Sequence, residues 1–518
     1  MLSVLIGLPF VGAILIGLLP NAKPRPARLV ALAVAIALLV WTVVLGVQFD
    51  LQSTDMQFVE FFPWLDAIGL NYSLGLDGLS LPLLFLNALL TVVAIAATEP
   101  DVPRPRFYYT LILILNIGVT GAFLAQNLLL FFLFYEVEII PLYFLIAIWG
   151  GQRRGYAATK FLIYTAVSGV LVLAAFLGTV WFTGAADFAY DPARSQLLPL
   201  STQILLLSGI LLGFGIKIPF FPLHTWLPDA HVEASTPVSV LLAGVLLKLG
   251  TYGLLRFGLA MFLDAWVYLA PWLATWAALS ALYGACCAIA QQDMKKVVAY
   301  SSIAHMAFVL LSVAATTRLS VIAAVAQMVS HGLISALLFL LVGVVAKKTG
   351  TRDVRVLRGL LNPERGLPII GSFMILAAMA SAGIPGMVGF IAEFMVFRGS
   401  FPIFPIQTLL CMVGTGLTAV YFLLMINRVF FGRLDEPFDT LPPVKWGDRV
   451  PAFALVVLIL VFGLQPNWLV RWSETEAGAL LLKAPAIATS ALPSSMPPTP
   501  ESALLSSGVA GEYLSLSE

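Results

Sequence analysis

Two stretches decide the fold: LLLSGILLGFGIKIPFFPLHTWL at 205–227 and VSVLLAGVLLKLGTYGLLRFGL at 238–259. Each is long and apolar enough to cross a bilayer, for which about 20 residues suffice. Each also holds a lysine, Lys217 in the first and Lys248 in the second. An ammonium at membrane depth costs at least about 2.5 kcal/mol, and such residues face a bundle interior or a wet cavity and carry charge-transfer work. Glu136 and Glu393 are embedded in apolar runs of the same kind. The four point to a proton path rather than a packed core.

The rest of the composition agrees. Of 518 residues, 60% are hydrophobic and 11% charged, against about 25% charged in soluble domains. So apolar a chain lacks the polar surface to cover itself in water, and a polytopic membrane protein is the class that fits. The net charge of +1 says nothing about partners, and no basic block with interleaved aromatics points to nucleic acid. Cys286 and Cys287 are adjacent and Cys411 is alone, so neither a disulfide framework nor an iron–sulfur site is expected. The first apolar run has its basic residues after it, not before it, and reads as a retained span rather than a signal peptide.

Fourteen apolar runs follow, at about 2–20, 27–48, 79–98, 107–125, 127–149, 157–183, 203–223, 237–262, 267–290, 297–316, 319–346, 367–398, 405–430 and 451–469. Numbering loops by the span they follow, odd loops hold twenty Lys and Arg and even loops four: Arg194, Arg256, Arg318 and Arg398. Cytoplasmic loops carry the excess, so both termini are expected on the non-cytoplasmic side. The segment 49–78, with five acids and no Lys or Arg, agrees. The divisions are 1–106 (N-terminal helices and a non-cytoplasmic loop), 107–262 and 263–430 (two repeats), 431–469 (a C-terminal helix) and 470–518 (a polar tail rich in Ser, Pro, Ala and Thr, read as unstructured).

Proline removes an amide, so Pro219 and Pro222 free the carbonyls of Gly215 and Ile218. Backbone freed at membrane depth must be satisfied by protein or water. Gly383, Pro385, Gly386 and Gly389 repeat the arrangement ahead of Glu393, and GFGIKIPFFP is alike to ASAGIPGMVGF. Two interrupted helices in matching places point to inverted repeats with ion sites at their interface. The expected fold class is therefore all-α and polytopic: about fourteen transmembrane helices, two inverted five-helix repeats and two discontinuous helices.

LLFFLFYEVEIIPLYFLIAIWG, GYAATKFLIY, GFGIKIPFFPLHTWLPDAHVEASTPVSVLLAG, DMKKVVAYSSIAHM and GIPGMVGFIAEF resemble the antiporter-like membrane subunits of complex I over roughly residues 70–430. The chain 4 (M- or D-type) subunit is the best match. YEVEIIP and ATKFLIY look like the cyanobacterial and chloroplast NAD(P)H dehydrogenase-like complexes. The resemblance implies a proton-pumping module, with redox cofactors in other subunits. In the photosynthetic branch it implies plastoquinone, thylakoid membranes, a ferredoxin-linked electron supply and cyclic electron transport. Implied partners are other membrane subunits, further antiporter-like ones among them, a peripheral redox arm bearing iron–sulfur clusters, and lipids. No cofactor is expected in this chain, which has no dinucleotide fingerprint, cluster ligands or FMN-binding motif.

The resemblance also assigns the path. Glu136 matches the family glutamate by its place five residues before Pro141. Lys217 and Lys248 match the lysines, His331 and His305 the axial histidines, and Glu393 the final charge. Glu138, about 200° round the helix from Glu136, has an open role. An opposite charge within about 4–6 Å lowers a carboxylate pKa and raises that of lysine, and burial does the reverse. A Glu136–Lys217 contact that opens and closes is thus expected to drive a proton from Lys217 to Lys248 and on to Glu393; the plain alternative is a static ion pair. His224 and His231 belong to the cytoplasmic mouth or a hinge. Ser330, Ser301, Thr236, Asn116 and Tyr135 are candidates to hold water. The run 346–366 reads as a solvated topological anchor; the alternative is that its basic residues bind lipid head groups or a partner subunit. The rival readings are an Mrp-type cation/proton antiporter, an energy-converting hydrogenase subunit and a structural scaffold; a scaffold has no reason to bury Lys and Glu.

Overall fold

The computed structural model describes residues 1–19, 24–435, 438 and 441–482. Its helices are α1 (Ser3–Leu18), α2 (Pro24–Gln48), α3 (Ser80–Ala97), α4 (Pro105–Leu124), α5 (Leu128–Val137), α6 (Ile139–Trp149), α7 (Arg154–Thr183), α8 (Pro192–Gln196), α9 (Leu200–Lys217) and α10 (Trp226–Glu233). They continue as α11 (Thr236–Leu241), α12 (Leu247–Gly253), α13 (Leu263–Ile289), α14 (Met294–Ala315), α15 (Arg318–Thr349), α16 (Pro368–Ser381), α17 (Val388–Ser400), α18 (Pro405–Val429), α19 (Trp446–Leu464) and α20 (Asn467–Leu482). Each of the fourteen apolar runs corresponds to a helix or a broken helix. Among the described residues, twelve helices are long and apolar enough to cross a membrane, and α1 and α16 are shorter apolar helices. The chain is a multi-pass membrane protein.

The layering is that of a protein whose solvent is lipid. The stretch Thr236–Leu259 is wholly enclosed, and α14 and α15 nearly so. Around them α2, α7, α18 and α19 bury only about a third to two fifths of the residues in their apolar spans. Their outward faces are apolar, with Trp181 81% exposed and Ile406 69% exposed. A soluble monomer rarely shows so broad an apolar surface; in hydrocarbon it is the ordinary one. Polar caps start the central helices. Asn127 accepts from the amides of Leu129 and Leu130 at 3.1 and 3.0 Å, Asp293 accepts from Lys295 N at 2.8 Å, and Thr317 exchanges bonds with Ser320.

Two regions depart from expectation. The fold is not purely helical: residues 49–78 contain an antiparallel hairpin, β1 (Gln57–Leu65) and β2 (Leu70–Leu76), joined by a 3₁₀ turn. The chain N-terminus packs there, where the ammonium of Met1 pairs with Glu60 and the amides of Leu2 and Ser3 donate to the same carboxylate at 2.7 and 3.0 Å. Burial opposes the charge of Glu60, but hydrogen bonds from the terminal ammonium and Ser3 outweigh it and hold the group below the usual carboxylate range.

The second departure is the tail expected from residue 470. Its first part is helical, because Leu469, Ser473 and Ala477 recur every four residues and are buried together. Trp472 lies 6.1 Å from Phe85, and Thr475 Oγ1 donates to the Leu51 carbonyl at 2.6 Å. The rest of that call, 483–518, lies outside the described residues.

Candidate functional site: a buried polar axis

The α9 helix stops at Lys217, and the chain runs irregularly through 218–225 before α10. The freed backbone is recovered by neighbours, as membrane depth demands. The Gly215 carbonyl, which Pro219 cannot serve, accepts from Phe220 N at 3.0 Å. Trp226 Nε1 donates to the Ile216 carbonyl at 2.8 Å, Trp276 Nε1 to that of Phe221 at 2.5 Å, and Phe221 N to Ser280 Oγ at 3.2 Å. Beside this recovered backbone Lys217 is held fully buried.

Lys217 is fully buried, and its ammonium pairs with Glu138, also fully buried. It lies 4.2 Å from the centre of the Tyr135 ring, whose hydroxyl bonds Ser168 Oγ at 2.8 Å. The expected partner, Glu136, is corrected here. Together α5 and α6 form one apolar span, with only a slight irregularity at Glu138, whose backbone keeps helical angles (φ −71°, ψ −24°), and Pro141 in the first turn of α6. Glu138 is on the face turned into the bundle. Glu136 points sideways, half-buried, against α7; a Cβ on Gly169 would sit 1.9 Å from its Oε1.

Lys248 has a different setting. Its helix is interrupted on both sides by π-helical turns, Leu242–Leu246 and Leu254–Leu259. A π turn disturbs the regular carbonyl ladder, and Lys248 Nζ reaches the Ala243 carbonyl at 2.6 Å. Its other partner is His331 Nδ1 at 2.7 Å. Among the described residues Lys248 makes no ion pair with a carboxylate.

From His331 the contacts continue. The His331 and His305 rings are 5.8 Å apart between centroids. His305 Nδ1 meets the Ser301 carbonyl at 2.8 Å, and Nε2 meets the Ser381 carbonyl at 3.1 Å and Glu393 Oε1 at 3.3 Å. Both ring nitrogens face acceptors, an arrangement filled by the imidazolium, which donates from both. Glu393 is 4% exposed and accepts from Thr415 Oγ1 at 3.0 Å on its other oxygen. The interruption at 382–387 carries Gly383 and Gly386 at φ +70° and +89°, a left-handed backbone that suits glycine and lets Gly383 approach the carboxylate.

The structure therefore brings Lys248, His331, His305 and Glu393 into one run of contacts. The Lys217–Glu138 pair stands beside it, linked where Lys217 packs against Gly250 of α12. His224 and His231 lie off this run, both buried. Of the candidate water-holding residues, Ser301 Oγ donates to the Val298 carbonyl and Asn116 Nδ2 to Thr91 Oγ1. Sequence reasoning treated Asp77 and Arg256 as loop residues. They form a buried ion pair, each 2% exposed, with Arg256 Nε donating to Tyr252 OH at 3.1 Å. Lys295, counted as a loop cation, is also buried. Among the described residues no group of His, Cys, Asp and Glu is arranged to hold a metal.

Comparison with known proteins identifies the family. A family described as "NADH:quinone oxidoreductase/Mrp antiporter, TM" matches residues 125–418. NAD(P)H-quinone oxidoreductase chain 4 of Trichormus variabilis is 41% identical over 488 residues, 92% of this chain and 90% of the relative. Chain 4 of Thermosynechococcus vestitus is 42% identical over 485 residues, 90% and 89%. A chain of respiratory complex I from Thermus thermophilus, solved with bound NADH, matches with a TM-score of 0.85 at 27% identity, covering 93% of this chain and 99% of that one. The Mrp complex from a Dietzia species matches in fold, with a TM-score of 0.82 at 22% identity, covering 93% and 97%. The chain belongs to the NADH:quinone oxidoreductase/Mrp antiporter family of membrane subunits, alongside the chain 4 proteins of the NAD(P)H-quinone oxidoreductases.

Proposed function

We propose that this chain is the proton-translocating chain 4 subunit of an NAD(P)H- or ferredoxin:plastoquinone oxidoreductase complex in a thylakoid membrane. Both termini face the lumen, on the argument of the twenty-to-four loop charges. Iron–sulfur clusters and plastoquinone are held by neighbouring subunits, and this chain contributes no redox group. The photosynthetic setting rests on the cyanobacterial relatives. The observation that carries the transport reading is the buried run Lys248–His331–His305–Glu393.

In this reading the Lys217–Glu138 contact is the switch. Closed, the carboxylate holds a proton on Lys217 in a dry site. Opened by movement in a neighbouring subunit, it removes that counter-charge, and the proton leaves for Lys248. His331 takes it at one ring nitrogen and releases another toward His305, and Glu393 passes it out. One pKa unit corresponds to about 1.36 kcal/mol, so a single contact commands a useful driving force.

The test is Lys217→Met in the intact complex. Assembly is retained on native gels and quinone-driven acidification of vesicles is lost; normal pumping refutes the role. Co-purification with iron–sulfur and quinone-site subunits identifies the oxidoreductase, and a small set of cation-antiporter subunits instead identifies the Mrp type.

A further inference from the structure

The enclosed stretch Thr236–Leu259 starts at the Lys/Arg-rich face of the bundle and ends at the opposite one, where the even-numbered loops lie. Arg256 follows Lys248 on it by eight residues, about 12 Å of helix rise toward that opposite face. Its guanidinium is buried, and a guanidinium keeps its charge at any working pH. Nη2 donates to Asp77, just ahead of α3. Nε donates to Tyr252 OH at 3.1 Å, and that hydroxyl donates in turn to the Phe123 carbonyl at 3.1 Å.

Asp77 is as fully engaged. Besides the guanidinium it accepts from Leu79 N at 3.1 Å, Ser80 N at 2.9 Å and Ser80 Oγ at 2.9 Å. The α20 backbone packs against the next residue: a Cβ on Gly78 would collide with the Trp472 carbonyl oxygen, so glycine alone lets the helix come this close. The axis is built the other way. His331 Nε2 has no hydrogen-bond partner among the described residues, and Lys248 has uncharged ones. A relay needs a site to receive a proton and a neighbour in reach to take it. Around Arg256 neither is present: the Tyr252 proton points at a carbonyl, which passes nothing on, and the Asp77 carboxylate is filled by donors. A fixed arginine charge in a crossing also repels protons.

We propose that Arg256, held in place by Asp77, is a positively charged seal beyond Lys248 that stops protons returning to the axis from the face opposite the Lys/Arg-rich one. This rests on the transport reading above and adds to it the reason that a proton on Lys248 leaves by His331 alone. Asp77 fixes the guanidinium without offering an oxygen free to take a proton. Arg256 is thus a positioning residue for direction: it touches no proton on the path and sets which way the path is closed.

The test uses the whole complex in sealed vesicles with that opposite face inward. Protons pumped per electron are measured first without a gradient and then against an imposed acid interior. Arg256→Gln keeps a polar side chain and removes the charge. Its ratio is normal without a gradient and falls several-fold below the wild-type ratio against one, while electron transfer continues. Arg256→Lys keeps the charge and holds the wild-type ratio in both conditions. An Arg256→Gln complex that pumps against the gradient like the wild type overturns the proposal, and so does an equal loss in Arg256→Lys. If Arg256→Gln does not assemble, hydrogen exchange in the wild-type complex decides. The amides of Leu79 and Ser80, bonded to Asp77, stay as protected during turnover as at rest, and loss of that protection during turnover overturns the proposal. Normal pumping in Lys217→Met without a gradient sinks the transport reading itself, an outcome distinct from any change that appears only against a gradient.

Discussion

Lys217 and Lys248 are the same residue type, on adjacent stretches of chain, and equally buried, yet their surroundings are opposites. Lys217 has a carboxylate, Glu138, at its ammonium. Lys248 has a backbone carbonyl and an imidazole. A buried charge with a counter-charge is held, and its release requires that the partner move. A buried amine among neutral acceptors has no such hold and can load and unload with its neighbours in place. The comparison sets a paired charge, Lys217, against an amine with neutral partners, Lys248.

The largest expected effect comes from removing the counter-charge. Glu138→Gln leaves the Lys217 ammonium buried and unmatched, a destabilisation of about 3–5 kcal/mol. Glu136→Gln, on the half-buried side, costs less than about 1 kcal/mol. Thermal unfolding of the two purified complexes compares them directly, and equal losses would return the pairing to Glu136. Next is Lys248→Met, which removes an amine that no carboxylate balances and keeps the side-chain volume. Stability then changes by less than about 1.5 kcal/mol while vesicle acidification is lost. A large loss of stability there would mean Lys248 is locked in the same way as Lys217.

Two smaller effects lie outside the bundle. Glu60 is held below the ordinary carboxylate range, so its contribution is present above the unfolded value of about 4.3 and is lost as pH falls through the lowered folded one. Amide protection factors in 57–76, relative to the intrinsic exchange rate at each pH, are therefore steady from neutral pH to about 5 and fall on further acidification, and Glu60→Gln removes that dependence. The smallest effect is at Asp353, which hydrogen bonds from Arg355 hold down at about 2. The pair is exposed, and exposed pairs contribute little and are screened by salt. Asp353→Asn is expected to leave the unfolding temperature unmoved.

Hydropathy alone marked every apolar membrane-length helix, because a lipid-spanning helix must be apolar throughout. It also marked both interrupted helices, because Pro219 and Pro385 lack amides. The partner of Lys217 was not legible. Counting residues round a helix fixes how far apart Glu136 and Glu138 point, and does not tell which of the two faces the bundle. Arg256 and Lys295 were misread for a related reason. Loop charges are counted by position along the chain, and nothing in position tells a side chain that snorkels outward from one that turns in to cap carbonyls. The hairpin at 57–76 and the helix after residue 467 were hidden by weak signals, bulged strands in one case and a buried face of small residues in the other.

The two π turns around Lys248 have an electrostatic meaning. Each accommodates one residue more than an ordinary turn and takes backbone carbonyls out of the regular ladder, and the Ala243 carbonyl in the first of them accepts from the Lys248 amine. The polypeptide itself thereby supplies an uncharged oxygen to solvate the amine where a straight helix would turn its carbonyls away.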